Sequence, residues 1–286
     1  MAQGIGRLAA RCCCSGGTGL LHPDLSLANR LIASLPAQER GALLARCELV
    51  ELRLHAVVIR AGQTLNQAWF PVEGFVSVTL AGIDGLDQVV AQVGSEGMLD
   101  TALALGLQRS DFSCRVEAAG RAFCISREAL HQCCQQGVLR QQLHRYVQAR
   151  LGQQAQQSVC VNHHPVAQRL ARWLLMARDR AHCTELFLTH EVLALMLGAR
   201  RESVTQAASA MQRSGLISYS RGYVMLLDVA ALERMACPCY EADTRLYEQA
   251  LADASAHQGE TTCRTHASTW GVATSGVSLW PACTTR

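Results

Sequence analysis

The apolar period of this chain changes partway along, and that change constrains the architecture more than any single motif. From Val50 the apolar residues alternate. Glu51-Leu52-Arg53-Leu54 has period two, and Val57-Val58-Ile59 is a short run closed by Ala61-Gly62. Trp69-Phe70-Pro71 leads through Gly74 into Phe75-Val76-Ser77-Val78-Thr79-Leu80. Val89-Val90-Ala91-Gln92-Val93 ends at Gly94, and Ser113 to Ala118 and Arg121 to Ile125 bracket a turn at Gly120. Short runs rich in β-branched and aromatic residues, punctuated by glycine, need a second sheet to cover them. The spacing therefore predicts an all-β barrel or sandwich of about 80 residues.

After Ser126 the period becomes helical. Between about Val138 and Val161 there is no proline and one glycine, Gly152, while Leu139, Leu143, Val147, Leu151, Ala155 and Val159 recur every four residues beside Tyr146. One narrow apolar seam on a long helix between two domains reads as a dimerisation helix, with Leu139, Leu143, Tyr146, Val147 and Leu151 as contacts. The competing reading is a helix packed on its own barrel. His163-His164-Pro165 breaks the pattern, and Pro165 suits the first turn of a new helix carrying Val166, Leu170, Trp173, Leu174 and Ala177. Before the barrel, Leu27, Leu31 and Leu35 fall on one helical face ahead of Pro36. Residues 1–22 read as a loose tail, and periodicity fades beyond Tyr240 apart from Leu246 and Leu251.

The segment from Leu188 to Leu227 carries the chemistry. Thr189 is a good N-cap, Glu191 complements the dipole of the first turn, and Leu193, Met196 and Leu197 make an apolar face that ends at Gly198. A second helix is expected from about Arg201 to Arg213. Val204, Ala207, Ala208 and Met211 stand at i, i+3, i+4 and i+7, so they face inward. The opposite side offers Arg201, Glu202, Thr205, Gln206, Ser209 and Gln212. Arginine can fork onto guanine, glutamine can pair with adenine and glutamate can accept from cytosine. Ser203 suits a phosphate or a base edge. Leu216 to Tyr219 and Tyr223 to Leu227 then form a hairpin with Arg221 at its tip, placed to meet a phosphate. This is a winged helix-turn-helix. Its expected DNA-contacting residues are Thr189, Arg200, Arg201, Glu202, Ser203, Thr205, Gln206, Ser209 and Arg221.

Charge agrees in its distribution. The formal net charge is only +3, but Arg140 to Arg221 holds eleven arginines against Asp179, Glu185, Glu191 and Glu202. An apolar fraction of 49% with no apolar run of membrane-spanning length, and no long apolar core of a secretory signal, leads to the expectation of a cytoplasmic protein away from the membrane. The fourteen cysteines follow no disulfide framework. Cys237-Pro238-Cys239 is tighter than a zinc knuckle, and the His163/His164 pair has no third ligand at a useful spacing, so no metal is expected. No Gly-rich phosphate loop, nucleophile elbow or metalloprotease motif appears, which argues against an enzyme.

The order barrel, long helix, then Leu188-Thr189-His190-Glu191 and Gly198-Ala199-Arg200-Arg201-Glu202-Ser203-Val204 resembles the Crp/Fnr family of bacterial regulators over residues 25–240. The resemblance implies an α+β fold: a double-stranded β-helix (jelly-roll-like) barrel, a dimerisation helix and a C-terminal winged helix-turn-helix. In that family the residues matching Arg201 and Glu202 read bases. Gln206 stands where cyclic-AMP-responsive members have a third base-reading arginine, and His190 replaces a common phosphate-contacting arginine. Glu96, Gly97, Met98, Arg109 and Ser110 fall where a cyclic nucleotide's phosphate cassette would lie. Met98, however, occupies the place of the ribose-binding glutamate, and the Fnr-type cysteine spacing is absent. An unknown small-molecule effector, or none, is therefore expected in place of a cyclic nucleotide, and no cofactor.

The expected divisions are 1–22 tail, 23–135 barrel, 136–162 dimerisation helix, 163–240 DNA-binding domain and 241–286 extension, mostly disordered. The expected partners are double-stranded DNA, a second copy of the chain and RNA polymerase. The rival is a small-molecule-binding signalling module whose helix-turn-helix contacts another protein.

Overall fold

A computed structural model describes residues 25–82, 87–135 and 137–256, so the expected tail 1–22 and the end of the extension lie outside the described residues. A short 3-10 turn, Leu25–Leu27, precedes α1 (Arg30–Ala33) and α2 (Ala37–Leu44). The barrel strands are β1 (Glu48–Leu52), β2 (Val57–Ile59), β3 (Gln67–Pro71), β4 (Phe75–Leu80), β5 (Gln88–Val93), β6 (Phe112–Ala118) and β7 (Gly120–Ser126). Helices α3 (Arg127–Cys134), α4 (Val138–His163) and α5 (Val166–Ala181) follow. The C-terminal part holds β8 (Glu185–Phe187), α6 (His190–Leu197), α7 (Arg201–Arg213), β9 (Ile217–Ser220), β10 (Tyr223–Leu226), α8 (Val229–Met235) and α9 (Cys239–Ala256).

The barrel is two antiparallel sheets, ordered β1-β7-β3 and β2-β6-β4-β5. Alternation puts Leu52 and Ala122 from one sheet against Ile59, Val76, Val78, Val93, Cys114 and Val116 from the other, and this apolar layer joins them. The β3–β4 and β6–β7 turns touch backbone to backbone. A methyl on Gly120 would stand 2.2 Å from the Glu73 carbonyl oxygen, and one on Gly74 2.3 Å from that of Ala118. Only glycine fits at either place.

Ala68, Phe70 and Ile125 project from the outer side of the β1-β7-β3 sheet, and helices cover them. Leu31 and Ile32 of α1, Leu130 of α3, and Leu139, Leu143, Tyr146 and Ala149 of α4 pack there. The anchor is Asn29: its Oδ1 caps α1 at the Ile32 amide, while its Nδ2 donates to the carbonyls of Pro71 and Gly97, each at 2.8 Å.

Helix α4 splits the expected dimerisation seam. Leu139, Leu143 and Tyr146 lie inside the chain's own core, where Tyr146 donates to the Met98 carbonyl at 3.1 Å. Val147 is half-buried, and Leu151, 60% exposed, stays on the outer side with exposed Val159. A step of four residues turns a helix about 400°, some 40° past a full circle, so a seam of that period winds from the inner side to the outer.

The start of the extension is helical. Residues from Cys239 form α9, which packs along α4: Leu246 sits over Gly152 and Tyr247 meets Tyr146 edge to face at 6.4 Å. Its inward residues include Cys239, Asp243 and Tyr247, a mixture that leaves only a weak apolar period in the sequence.

The winged-helix body shares a core with the barrel. Phe75 and Val89 join Leu170, Trp173, Leu174, Leu193, Met196, Val204 and Met211 in one cluster. Phe75 and Trp173 meet edge to face at 5.9 Å. Around them, Arg180 Nε donates to Glu96 Oε1 at 2.8 Å, and the Gln88 amide donates to the Leu195 carbonyl at 2.7 Å. No described helix is long and apolar enough to cross a membrane.

Candidate nucleic-acid interface

Helix α6 begins where its cap dictates: Thr189 Oγ1 accepts from the Val192 amide at 3.3 Å. It ends at Gly198, whose φ of +56° is the left-handed turn that glycine allows. Three residues later α7 starts. Its buried side is Val204, Ala207, Ala208 and Met211, and the small alanines let α6 approach closely. The outer side presents Arg201, Glu202, Gln206, Gln212 and Arg213, with Arg200 just before the first turn. Arg201, Glu202, Gln212 and Arg213 are exposed, and Gln206 is exposed with them. Ser203, Thr205 and Ser209 are half-buried along its edges.

The wing is a three-stranded sheet of order β8-β10-β9. Arg221 and Gly222, with φ of +49° and +86°, form its two-residue turn, so Arg221 is exposed at the tip. Strand β8 is absent from the sequence-based expectation. Its three residues, Glu185, Leu186 and Phe187, are too short to show a period, and Phe187 touching Tyr223 edge to face at 5.0 Å is the contact that marks it.

Polar contacts decide which side chains are free. Arg201 pairs loosely with Glu191 at 3.2 Å in the open. The Thr205 hydroxyl is already held by the Arg201 carbonyl at 3.0 Å and by His190 Nδ1 at 3.0 Å. His190 stacks on Tyr219, ring centroids 4.4 Å apart, and faces inward; the Tyr219 hydroxyl donates to the Leu188 carbonyl at 2.7 Å. Burial, with a smaller push from the Arg201 charge, holds the His190 imidazole below its ordinary 6.5. The ring is therefore neutral near pH 7 and acts as a support for Thr205.

The five expected ligand-binding residues are not gathered around one cavity. Glu96 turns to the interdomain cleft, taking Arg180 on one oxygen and the Gly94 amide, at 2.9 Å, on the other. Gly97 lies under the Tyr146 ring, Met98 is buried in the core, and the Ser110 hydroxyl binds the Phe112 backbone. Arg109 is exposed and donates to the Gly62 carbonyl at 2.9 and 3.2 Å. A cavity of about 690 Å³ opens instead between Leu103–Gln108 and helices α3 and α4, and its lining includes none of the five.

The fold also assembles a cluster that spacing hid. Cys160 and His164 on one side, Cys237 and Cys239 on the other, bring their side chains together at the neck below α5. The expectation that His164 and the Cys237/Cys239 pair lack ligand partners is thereby corrected. Their partners lie more than seventy residues away in the chain.

Residues 49–137 match the model of the cyclic nucleotide-binding domain, and residues 168–235 match the model of the Crp-like helix-turn-helix domain. The chain therefore carries a cyclic nucleotide-binding domain followed by a Crp-like helix-turn-helix domain. Among solved structures, FixK2 from Bradyrhizobium japonicum aligns with a TM-score of 0.56 at 15% identity, covering 67% of this chain and 98% of that one. The c-di-GMP responsive global regulator CLP of Xanthomonas campestris gives 0.55 at 18% identity, covering 68% and 100%. TTHB099, a CRP-family transcriptional regulator from Thermus thermophilus, gives 0.52 at 22%, covering 65% and 96%. At these identities the likeness is one of fold. No curated protein matches the chain.

Proposed function

We propose that this chain is a sequence-specific regulator of the Crp/Fnr type that binds duplex DNA as a homodimer on near-palindromic sites. The observation that carries the reading is α7 itself, with alanine and methionine turned inward and Arg201, Glu202 and Gln206 on the outer side. Arg201 would fork onto a guanine, Glu202 accept from a cytosine and Gln206 pair with an adenine. Arg200, Ser203 and Ser209 flank that face, and Thr189 and Arg221 would meet the sugar–phosphate backbones. Thr205, tied to His190 and to the Arg201 carbonyl, would hold the first turn in shape.

Dimerisation is assigned to the outer side of α4, where Val147, Leu151, Ala155 and Val159 continue the seam away from the barrel. The two recognition helices would then enter successive major grooves about 34 Å apart. The barrel supports this arrangement through the shared core around Phe75 and Val89. Regulation without catalysis, in the cytoplasm where DNA is reached, completes the reading.

Fluorescence anisotropy of the full-length protein on labelled duplexes, across a salt series, tests it. Phosphate neutralisation should make log affinity fall linearly with log salt, with a slope of about −0.9 per phosphate contacted. Absent or salt-independent binding would contradict the proposal.

A further inference from the structure

The neck cluster presents three thiol sulfurs and one imidazole nitrogen, all within 4.8 Å of one another. Cys160 Sγ lies 3.5 Å from Cys237 Sγ, and Cys239 Sγ lies 3.5 Å from His164 Nδ1. A tetrahedral ion with bonds of about 2.0–2.3 Å holds its ligand atoms about 3.3–3.8 Å apart, so the cage is already near that size. The three cysteines are free thiols, fully buried, and form a small core of their own detached from the larger apolar clusters.

The surroundings fit an ion as well. Gln156 Nε2 donates to Cys239 Sγ at 2.9 Å, an outer hydrogen bond of the kind that orients a thiolate ligand. The Arg172 guanidinium, ion-paired with Asp243 through Nε at 3.1 Å, is also close enough to act on Cys160 and Cys237, and Asp243 acts on Cys160 in the opposite sense.

Place in the chain gives the cluster a role. Cys160 and His164 close α4 just before Pro165, where the winged-helix body begins. Cys237 and Cys239 stand just after α8, where it ends. The two ligand pairs thus bracket the whole DNA-binding body, and one ion would join its incoming and outgoing strands.

We propose that Cys160, His164, Cys237 and Cys239 form a tetrahedral Cys3His site for one Zn²⁺, which clamps the neck of the winged helix. Thiolate and imidazole ligands in a tetrahedron suit zinc, and four protein ligands leave no open position, so the site is structural and not catalytic. Binding takes the three cysteines as thiolates and releases their protons to solvent. Four ligand atoms within 4.8 Å enclose one ion and leave no room for the body of an iron–sulfur cluster.

The test uses the full-length chain, purified under reductant. Metal analysis should find one zinc per chain. Co²⁺ added to the chelator-stripped protein should give the intense visible bands of tetrahedral cobalt with a thiolate-to-cobalt charge-transfer band, and Zn²⁺ should erase both. The Cys237→Ser/Cys239→Ser double variant should lose these bands. Gln156→Ala removes no ligand atom and leaves the fold alone; it should weaken Co²⁺ binding about 10–100-fold. A chain with Cys12, Cys13 and Cys14 all changed to serine should bind as the parent does. Weak octahedral cobalt bands in the parent, a full zinc equivalent retained by the double variant, or a Cys160–Cys237 disulfide with no metal in protein isolated in parallel without reductant would each overturn the assignment. These readouts do not involve DNA, so failure of the metal site and failure of DNA binding are separable.

Discussion

Arg180→Ala should be among the most damaging single changes at the junction between barrel and winged helix. Arg180 and Glu96 are 9% and 12% exposed as side chains, and their Nε–Oε1 contact is 2.8 Å. Alanine removes that contact and the bond from Nη1 to the Met176 carbonyl at 3.1 Å. The Glu96 carboxylate is then left with the Gly94 amide, beside a cleft of about 190 Å³ that Glu96 and Arg180 line. Breaking a buried pair from one side costs about 3–5 kcal/mol, and the residual exposure here points to the lower end, about 3 kcal/mol. At roughly 2–4 °C per kcal/mol for a chain of this size, the melting midpoint should fall by about 6–12 °C. Arg53→Ala supplies the internal reference, since Arg53 and Glu51 form a similar contact at 3.3 Å but are 81% and 70% exposed. An exposed pair contributes about 0–1 kcal/mol, so that variant should melt close to the parent. Circular dichroism melts of both proteins, with Glu96→Gln added to Arg180→Ala, make the comparison. The added change should recover part of the loss, because a neutral amide is less costly to strand than a carboxylate. Equal midpoints for Arg180→Ala and Arg53→Ala would refute the reasoning and would return Glu96 to the pool of residues free to bind a ligand.

Other outcomes follow from the same geometry. Arg201→Ala should leave the melting midpoint unchanged and cost about 1–3 kcal/mol of discrimination at one base position per half-site, read by competition with single-base variants of a bound duplex. Leu151→Asp, on the outer side of α4, should shift the chain toward monomer in analytical ultracentrifugation without unfolding it; an unchanged dimer would move the interface elsewhere. Gly97→Ala would put a methyl 2.2 Å from the Tyr146 hydroxyl, so the barrel should lose stability clearly in denaturant titration, whatever ligand is present. His190 has its folded pKa below 6.5, so the unfolded chain binds the extra proton first. Its contribution is full above pH 6.5 and is lost as pH falls below that value. Melts between pH 8 and pH 5 should therefore show a steeper loss for the parent than for His190→Asn.

The winged helix was legible in the sequence because local rules act there without competition. The Thr189 cap, the Gly198 turn and the spacing of Val204, Ala207, Ala208 and Met211 each point to the same helices, and α7 runs from Arg201 to Arg213 as expected. The barrel was legible as alternating runs closed by Gly74, Gly94 and Gly120, though not its sheet order, which depends on pairing between distant strands. Helix α4 was visible as a helix, but the direction of its seam was not. Period alone does not say whether Leu139 and Leu143 meet a second chain or the outer side of the chain's own sheet. Helix α9 was hidden because its inner face includes Cys239, Asp243 and Tyr247, which no apolar pattern picks out. The neck cluster was invisible for a related reason: spacing finds ligands near each other in sequence, and this set is closed by the return of the chain after α8.

The most direct measurement is selection of bound sites from a pool of random duplexes by the purified full-length protein. The expected result is a set of inverted repeats whose half-sites are centred about one helical turn, roughly 10–11 base pairs, apart, each carrying a fixed guanine that the Arg201→Ala protein no longer prefers. Recovery of no shared sequence, or of single unpaired half-sites whose preference survives that substitution, would contradict the claim that two copies of α7 read DNA together.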